Sequence, residues 1–168
     1  MTTGGTTETR SAAPWWRFWP SLVVFVGLCY LVSAVGSLAS SEADEVYGAL
    51  DRPAWAPPSW LFGPVWTVLY GLIGVSAWLV WRRAGGSART ALVWWGVQLA
   101  LNLAWTPLFF AAEEYGLALV NIVLMLGAIV VTTALFARIH RVAAWLLVPY
   151  LLWVGYATAL NAAIWWAN

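Results

Sequence analysis

The 168 residues are 62% hydrophobic and only 9% charged, with one histidine, one cysteine and a formal net charge of +1. The mean hydropathy is +0.77. This balance excludes an ordinary soluble domain and a basic nucleic-acid binder, and it predicts an all-α integral membrane protein.

In chain order, residues 1–19, rich in threonine and glycine at their start, read as a disordered cytoplasmic N-terminus. Five apolar stretches follow, at about residues 20–39, 61–81, 91–111, 115–137 and 143–167, and none contains Asp, Glu, Lys, Arg or His. Each is long enough to cross a hydrocarbon core of ~30 Å as a helix of about 20 residues. The expectation is a five-transmembrane-helix bundle forming one membrane domain over residues 20–168, with too little chain left for a second domain. A signal peptide cleaved near Ala39 is the alternative for the first stretch. Its apolar run exceeds the ~7–15 residues of such a segment, so it is read as a retained span.

Charge sets the expected orientation. There is no lysine, and seven of the eight basic residues fall on one side: Arg10 and Arg17 before span one, Arg82, Arg83 and Arg89 after span two, and Arg138 and Arg141 after span four. Arg52 alone lies on the other side, with Glu42, Asp44, Glu45, Asp51, Glu113 and Glu114. The positive-inside rule therefore predicts a cytoplasmic N-terminus, an outside C-terminus and residence in a plasma or inner membrane.

The stretch from Arg52 to Tyr70 holds four prolines and three tryptophans. Each proline fixes φ and disfavours helix in the residue before it, so the entry to span two is stiff and extended. Ser59 or Gly63 is expected to cap the helix that follows, with Pro64 in its first turns. Trp66 and Tyr70 are four apart and share a face below an aromatic rim that includes Trp55. Most of the fifteen tryptophans, Trp95 included, fall near span ends as an interfacial belt. Trp66, Trp105 and Trp153 are deeper and are predicted to converge in the outer half of the bundle.

Span three carries two stripes. Gln98, Asn102 and Trp105 form a polar face that should point into the bundle, because polar groups in lipid need internal partners. Gly96, Ala100 and Ala104 form a small-residue ladder suited either to a homodimer interface or to packing within the bundle. On span five, Trp153, Ala157 and Asn161 lie at i, i+4 and i+8, a stripe compatible with a ligand pocket or with ordinary aromatic packing. Pro107 and Pro149 interrupt the hydrogen-bond ladders of spans three and five.

The run from Tyr47 through Arg52-Pro-Ala-Trp-Ala-Pro-Pro-Ser-Trp-Leu-Phe-Gly-Pro-Val-Trp-Thr-Val-Leu-Tyr70, the run Gln98-Leu-Ala-Leu-Asn-Leu-Ala-Trp-Thr-Pro-Leu-Phe-Phe110, and the run from Pro149-Tyr-Leu-Leu-Trp153 to Asn161 together resemble the tryptophan-rich sensory protein and translocator protein family. The resemblance spans roughly residues 20–166. It implies a five-helix bundle, often dimeric, with a pocket in one leaflet half beneath the loop joining spans one and two. It further implies binding of porphyrins, especially protoporphyrin IX, and in some members of sterols and synthetic drug-like ligands. For bacterial members it implies a light-dependent porphyrin-degrading activity, whose residues match Tyr47, Trp66 and Trp153. Ala157 and Asn161 match pocket-side positions.

Together these readings give a ligand-contacting set of Tyr47, Trp55, Trp66, Tyr70, Gln98, Asn102, Trp105, Trp153, Ala157 and Asn161. Indole and phenol walls suit a broad flat π-system. A metal-free ring is expected, since His140, Met125 and Cys29 offer little as axial ligands, and no metal site or covalent cofactor is expected. Loop 40–60 is the candidate lid, with Ser41 and Asp44 in capping-box spacing and Val46, Tyr47 and Leu50 laid over the pocket. Arg52 is expected to pair with a ligand propionate or with nearby acids such as Asp51. Span five ends without the tyrosine and basic residue of a sterol motif, itself a weak signal. Three functions follow: a porphyrin receptor or sensor regulating tetrapyrrole or stress metabolism, a light-dependent protoporphyrin-degrading enzyme, and a facilitated transporter of porphyrin or sterol. The spans hold no ionisable groups for coupled transport.

Overall fold

The computed structural model describes residues 19–38 and 43–168. The expected N-terminal tail, with Arg10 and Arg17, and the Ser41 capping position lie outside the described residues. Among the described residues there are six α-helices and no strand: α1 (Trp19–Leu38), α2 (Ala43–Ala49), α3 (Phe62–Ala84), α4 (Arg89–Phe110), α5 (Tyr115–Ile139) and α6 (Arg141–Ala167). The helical stretch from Ser59 to Phe110 runs to 52 residues, far more than one crossing needs. Gly85, at φ 51° and ψ −125°, breaks it between α3 and α4, in a conformation open to glycine and not to residues with a β-carbon. The protein is thus an integral membrane bundle of five long helices, α1, α3, α4, α5 and α6, with the short α2 between the first two.

The helices are not arranged in chain order. α1 lies between α3 and α4, which touch each other little, while α6 packs on both α3 and α5, and α5 on α4. α1 lies antiparallel to α3, joined along its length by the indole of Trp78 donating to Ser21 Oγ at 3.2 Å and by Tyr30 Oη donating to the Thr67 carbonyl at 3.0 Å. Between these, Gly74 lets the backbones meet: a β-carbon there would lie 2.7 Å from Val26 Cα. In a membrane, apolar contact with lipid is as good as contact with another helix, so such close approaches and internal hydrogen bonds hold the bundle. The large exposed residues Val23, Val24, Leu31, Val68, Leu124 and Leu152 face outward accordingly.

Two local expectations are corrected. Neither Ser59 nor Gly63 caps α3 through a side chain. Pro58 is extended, and a 3-10 turn from Ser59 to Leu61 carries the chain into the helix, with the Leu61 N–H bonded to the Pro58 carbonyl. Backbone thus does what a side-chain cap would have done, and Pro64 sits in the first turn where its missing N–H costs least. Trp95, expected in the interfacial belt, is buried in the core instead, with its indole N–H on the Ile73 carbonyl at 3.3 Å and Phe25 edge-on at 5.7 Å. Trp19, Trp55, Trp60, Trp145, Trp165 and Trp166 do stand exposed near helix ends.

Candidate functional site

A cavity of about 320 Å³ opens at the end of the bundle away from Arg82, Arg83, Arg89, Arg138 and Arg141. α3 contributes Phe62, Trp66 and Tyr70, successive members of an i, i+4, i+8 stripe. α4 contributes Asn102, Trp105 and Phe109, α6 contributes Trp153, Ala157 and Asn161, and α1 supplies Ser33, Gly36 and Ser37. Tyr47 of α2 forms part of the roof.

The aromatic lining is mutually braced. Trp66 leans on Tyr70 with centroids 5.4 Å apart and meets Tyr150 edge-on at 6.1 Å. Trp105 stacks on Phe109 at 4.9 Å and 27°. Phe62 stands edge-on to both Tyr47 (5.3 Å) and Trp153 (6.0 Å), bridging roof and wall. Contacts of this kind add about 0.5–1.5 kcal/mol each beyond the area they bury.

Polar groups fix the corners. Asn161 Oδ1 accepts from the Trp105 indole at 3.1 Å, and its Nδ2 donates to the Tyr115 carbonyl at 2.9 Å, joining α4, α5 and α6. Tyr70 Oη donates to Asn102 Oδ1 at 2.6 Å. Among the described residues the buried indole N–H of Trp153 has no partner, a donor beside the cavity whose desolvation is uncompensated.

The roof is tied down at three places. Tyr47 Oη donates to the Pro57 carbonyl at 2.9 Å, Tyr156 Oη donates to the Trp55 carbonyl at 2.9 Å, and Asp51 and Asn168 exchange two hydrogen bonds of 3.1 Å. Burial pushes the Tyr47 hydroxyl above its usual range, and the adjacent Arg52 guanidinium partly offsets this. Arg52 lies 4.4 Å over the Tyr47 ring, a cation–π contact.

Eight of the ten ligand-contacting residues read from the sequence therefore meet at one cavity: Tyr47, Trp66, Tyr70, Asn102, Trp105, Trp153, Ala157 and Asn161. Trp55 and Gln98 do not line it. Trp55 is half exposed on the outer rim against Tyr156 (5.6 Å), and Gln98 is buried deeper, bonded to Tyr150 at 2.7 Å. Sequence reasoning missed Phe62, Phe109 and the α1 face. Phe62 extends the spacing of Trp66 and Tyr70 by one turn and Phe109 extends that of Trp105, so both were legible. Ser33, Gly36 and Ser37 carried no chemical signal. Among the described residues no cluster of three metal-ligating side chains occurs.

A five-crossing helical membrane protein with an aromatic cavity under the loop after its first span is the class these observations define. The model of the TspO/MBR family matches residues 25–167, and the chain belongs to that family. It is 41% identical to the Translocator protein of Homo sapiens over 152 residues, covering 89% of this chain and 85% of that protein. It is 39% identical to the Tryptophan-rich protein TspO of Chlorobaculum tepidum, covering 86% and 93%. With the Tryptophan-rich sensory protein of Cereibacter sphaeroides the identity is 35%, over 85% and 88%.

Proposed function

We propose that the protein is a membrane receptor that takes a porphyrin, with metal-free protoporphyrin IX the preferred test ligand, into the cavity beneath residues 43–60. The observation that carries this reading is the wall itself: Trp66, Trp105, Trp153, Tyr70, Phe62 and Phe109 around one opening, with the unpartnered Trp153 N–H beside it. Flat aromatic walls with a few polar groups suit a planar, mostly apolar ring. With the arginines cytoplasmic, the cavity falls in the outer half of a plasma or inner membrane, the N-terminus inside and the C-terminus outside. Binding of this kind would serve a sensor of tetrapyrrole or stress metabolism, and facilitated movement of porphyrin or sterol along the same opening is the less supported use.

A second reading is favoured by the meeting of Tyr47, Trp66 and Trp153 at that one cavity. It makes the bound ring a substrate, oxidised in light with dioxygen as the oxidant. One experiment addresses both. Purified protein is titrated with protoporphyrin IX in the dark by tryptophan quenching, then illuminated, and the pigment products are analysed. Trp66→Phe and Trp153→Phe are expected to weaken dark binding several-fold to about tenfold, as loss of one aromatic wall contact implies. Binding that is absent, or indifferent to both changes, overturns the receptor reading. Equal bleaching with identical products in wild type and Trp153→Phe overturns the enzymatic one.

The chain is further proposed to form a homodimer through Gly96, Ala100 and Ala104. Packing within the bundle does not use up this ladder: a β-carbon at Gly96 meets nothing within 4 Å, and Ala100 is exposed. Ala100→Leu is expected to convert a detergent-solubilised dimer to monomer, measured as mass by light scattering. An unchanged dimer mass would return the ladder to lipid contact.

A further inference from the structure

A chain of four polar side chains runs inward from the cavity floor. Tyr70 Oη donates to Asn102 Oδ1 at 2.6 Å, Asn102 Nδ2 donates to Tyr150 Oη at 3.2 Å, and Tyr150 Oη donates to Gln98 Oε1 at 2.7 Å. Tyr70 and Asn102 line the cavity, whereas Tyr150 and Gln98 do not. Gln98 is 1% exposed and closes the chain, its Nε2 buried and without a partner among the described residues. A stranded amide donor in an apolar interior is costly, and an under-satisfied oxygen is tolerated more readily.

Every link in this chain can run the other way. A hydroxyl both donates and accepts, and a side-chain amide exchanges its donor and acceptor by turning about its last bond. Turned, Gln98 Nε2 donates to Tyr150, Tyr150 donates to Asn102 Oδ1, and Asn102 Nδ2 donates to Tyr70 Oη. The hydroxyl hydrogen of Tyr70 is then released toward the cavity. Two effects oppose each other. Reversal gives the stranded Gln98 N–H a partner, but the 2.6 Å contact between Tyr70 and Asn102 suits an O–H donor and is short for an N–H donor. A ligand group at the floor can therefore decide the sense, accepting from Tyr70 in one state and donating to it in the other.

We infer that the cavity floor at Tyr70 and Asn102 is a polar subsite of reversible hydrogen-bonding sense, governed by Gln98 from outside the pocket, and that it takes aromatic ligands bearing either one carbonyl acceptor or one N–H donor. The inference rests on the reading of the cavity as a ligand pocket. Gln98 is a positioning residue, acting through Tyr150 and Asn102 without touching the ligand.

Three flat tricyclic probes of nearly equal size separate the cases: fluorene, which is apolar, fluorenone, which accepts, and carbazole, which donates. Their dissociation constants are measured on the purified full chain by tryptophan quenching. In wild type, fluorenone and carbazole are both expected to bind more tightly than fluorene. Gln98→Met removes the terminal acceptor, so Tyr150 turns to Asn102 and Tyr70 is left donating into the cavity. The affinity of carbazole relative to fluorenone should then fall roughly five- to tenfold, with fluorene unchanged.

Tyr70→Phe should erase the advantage of both polar probes over fluorene. A packing role for Gln98 would lower all three affinities together. That result, or an unchanged ratio, overturns the inference. Should Gln98→Met fail to fold, the wild-type and Tyr70→Phe series decides: no advantage of the polar probes in wild type, or an advantage that survives in Tyr70→Phe, is equally fatal. Protoporphyrin IX titrated in the same preparations keeps the two proposals apart. A shifted ratio without porphyrin binding removes the porphyrin reading and leaves the subsite, and porphyrin binding with an unshifted ratio does the reverse.

Discussion

Gly74→Leu is expected to lower the thermal unfolding temperature of the detergent-solubilised protein more than any substitution among the aromatic wall residues, and to weaken ligand binding at a cavity it does not touch. A β-carbon at Gly74 falls 2.7 Å from Val26 Cα and 3.1 Å from the Phe25 carbonyl oxygen. Both are backbone atoms, so no side chain can swing aside and α1 must move off α3. Even Gly74→Ala should cost about 1–3 kcal/mol, the range for overpacking a close-packed contact. α1 has little with which to resist, since its buried residues are Cys29 and Gly36. Its far end supplies Ser33, Gly36 and Ser37 to the cavity wall, so its displacement opens the pocket to lipid. Gly127→Ala is the matched control: a β-carbon there meets nothing within 4 Å, and the change should be near neutral. If Gly74→Leu melts with Gly127→Ala and binds ligand as wild type does, α1 is not held in the way described.

That close approach was invisible in the sequence, for a physical reason. Gly74 lies in span two among other small residues, and nothing in the spacing Gly71, Gly74, Ser76, Ala77 says which one faces a neighbouring backbone. The spans themselves were legible because each is an uncharged run bounded by arginines, acids or prolines, and the bilayer requires such runs to be helical. The pocket was legible where its residues repeat at helical spacing, as do Trp66 with Tyr70, Asn102 with Trp105, and Trp153 with Ala157 and Asn161. It became illegible where partners come from helices that are neighbours only after folding. Gln98 and Asn102 share a stripe, yet Tyr150 intervenes between Gln98 and the cavity, so the stripe predicted burial and could not predict depth. Trp95 shows the same limit, because its place near a span end matched the belt whereas its indole N–H finds the Ile73 carbonyl of a helix that becomes a neighbour only after folding.

Asn161→Leu is the substitution expected to damage the pocket most from within. Leucine keeps the branched shape and heavy-atom count of asparagine but is bulkier, so pairing it with a Trp105 variant is what isolates the hydrogen bond to the indole. Asn161 is 1% exposed and is the partner of both the Trp105 indole and the Tyr115 carbonyl. Interhelical polar pairs in membranes are individually modest, averaging about 0.6 kcal/mol in double-mutant cycles. Removing Asn161 strands the Trp105 indole N–H, at about 1–3 kcal/mol, and takes the second of two partners from the Tyr115 carbonyl, which keeps its bond within α5. A loss of about 1–3 kcal/mol is therefore expected. Trp105→Phe keeps the ring on Phe109 while deleting the stranded donor, so the double variant Asn161→Leu with Trp105→Phe should be less destabilised than the sum of the singles by about 1 kcal/mol. Unfolding in a denaturing detergent titration measures all three. Strict additivity would mean that the Trp105 to Asn161 bond carries no energy, and the polar joins between α4 and α6 would then be the bonds of Tyr150 to Asn102 and Gln98.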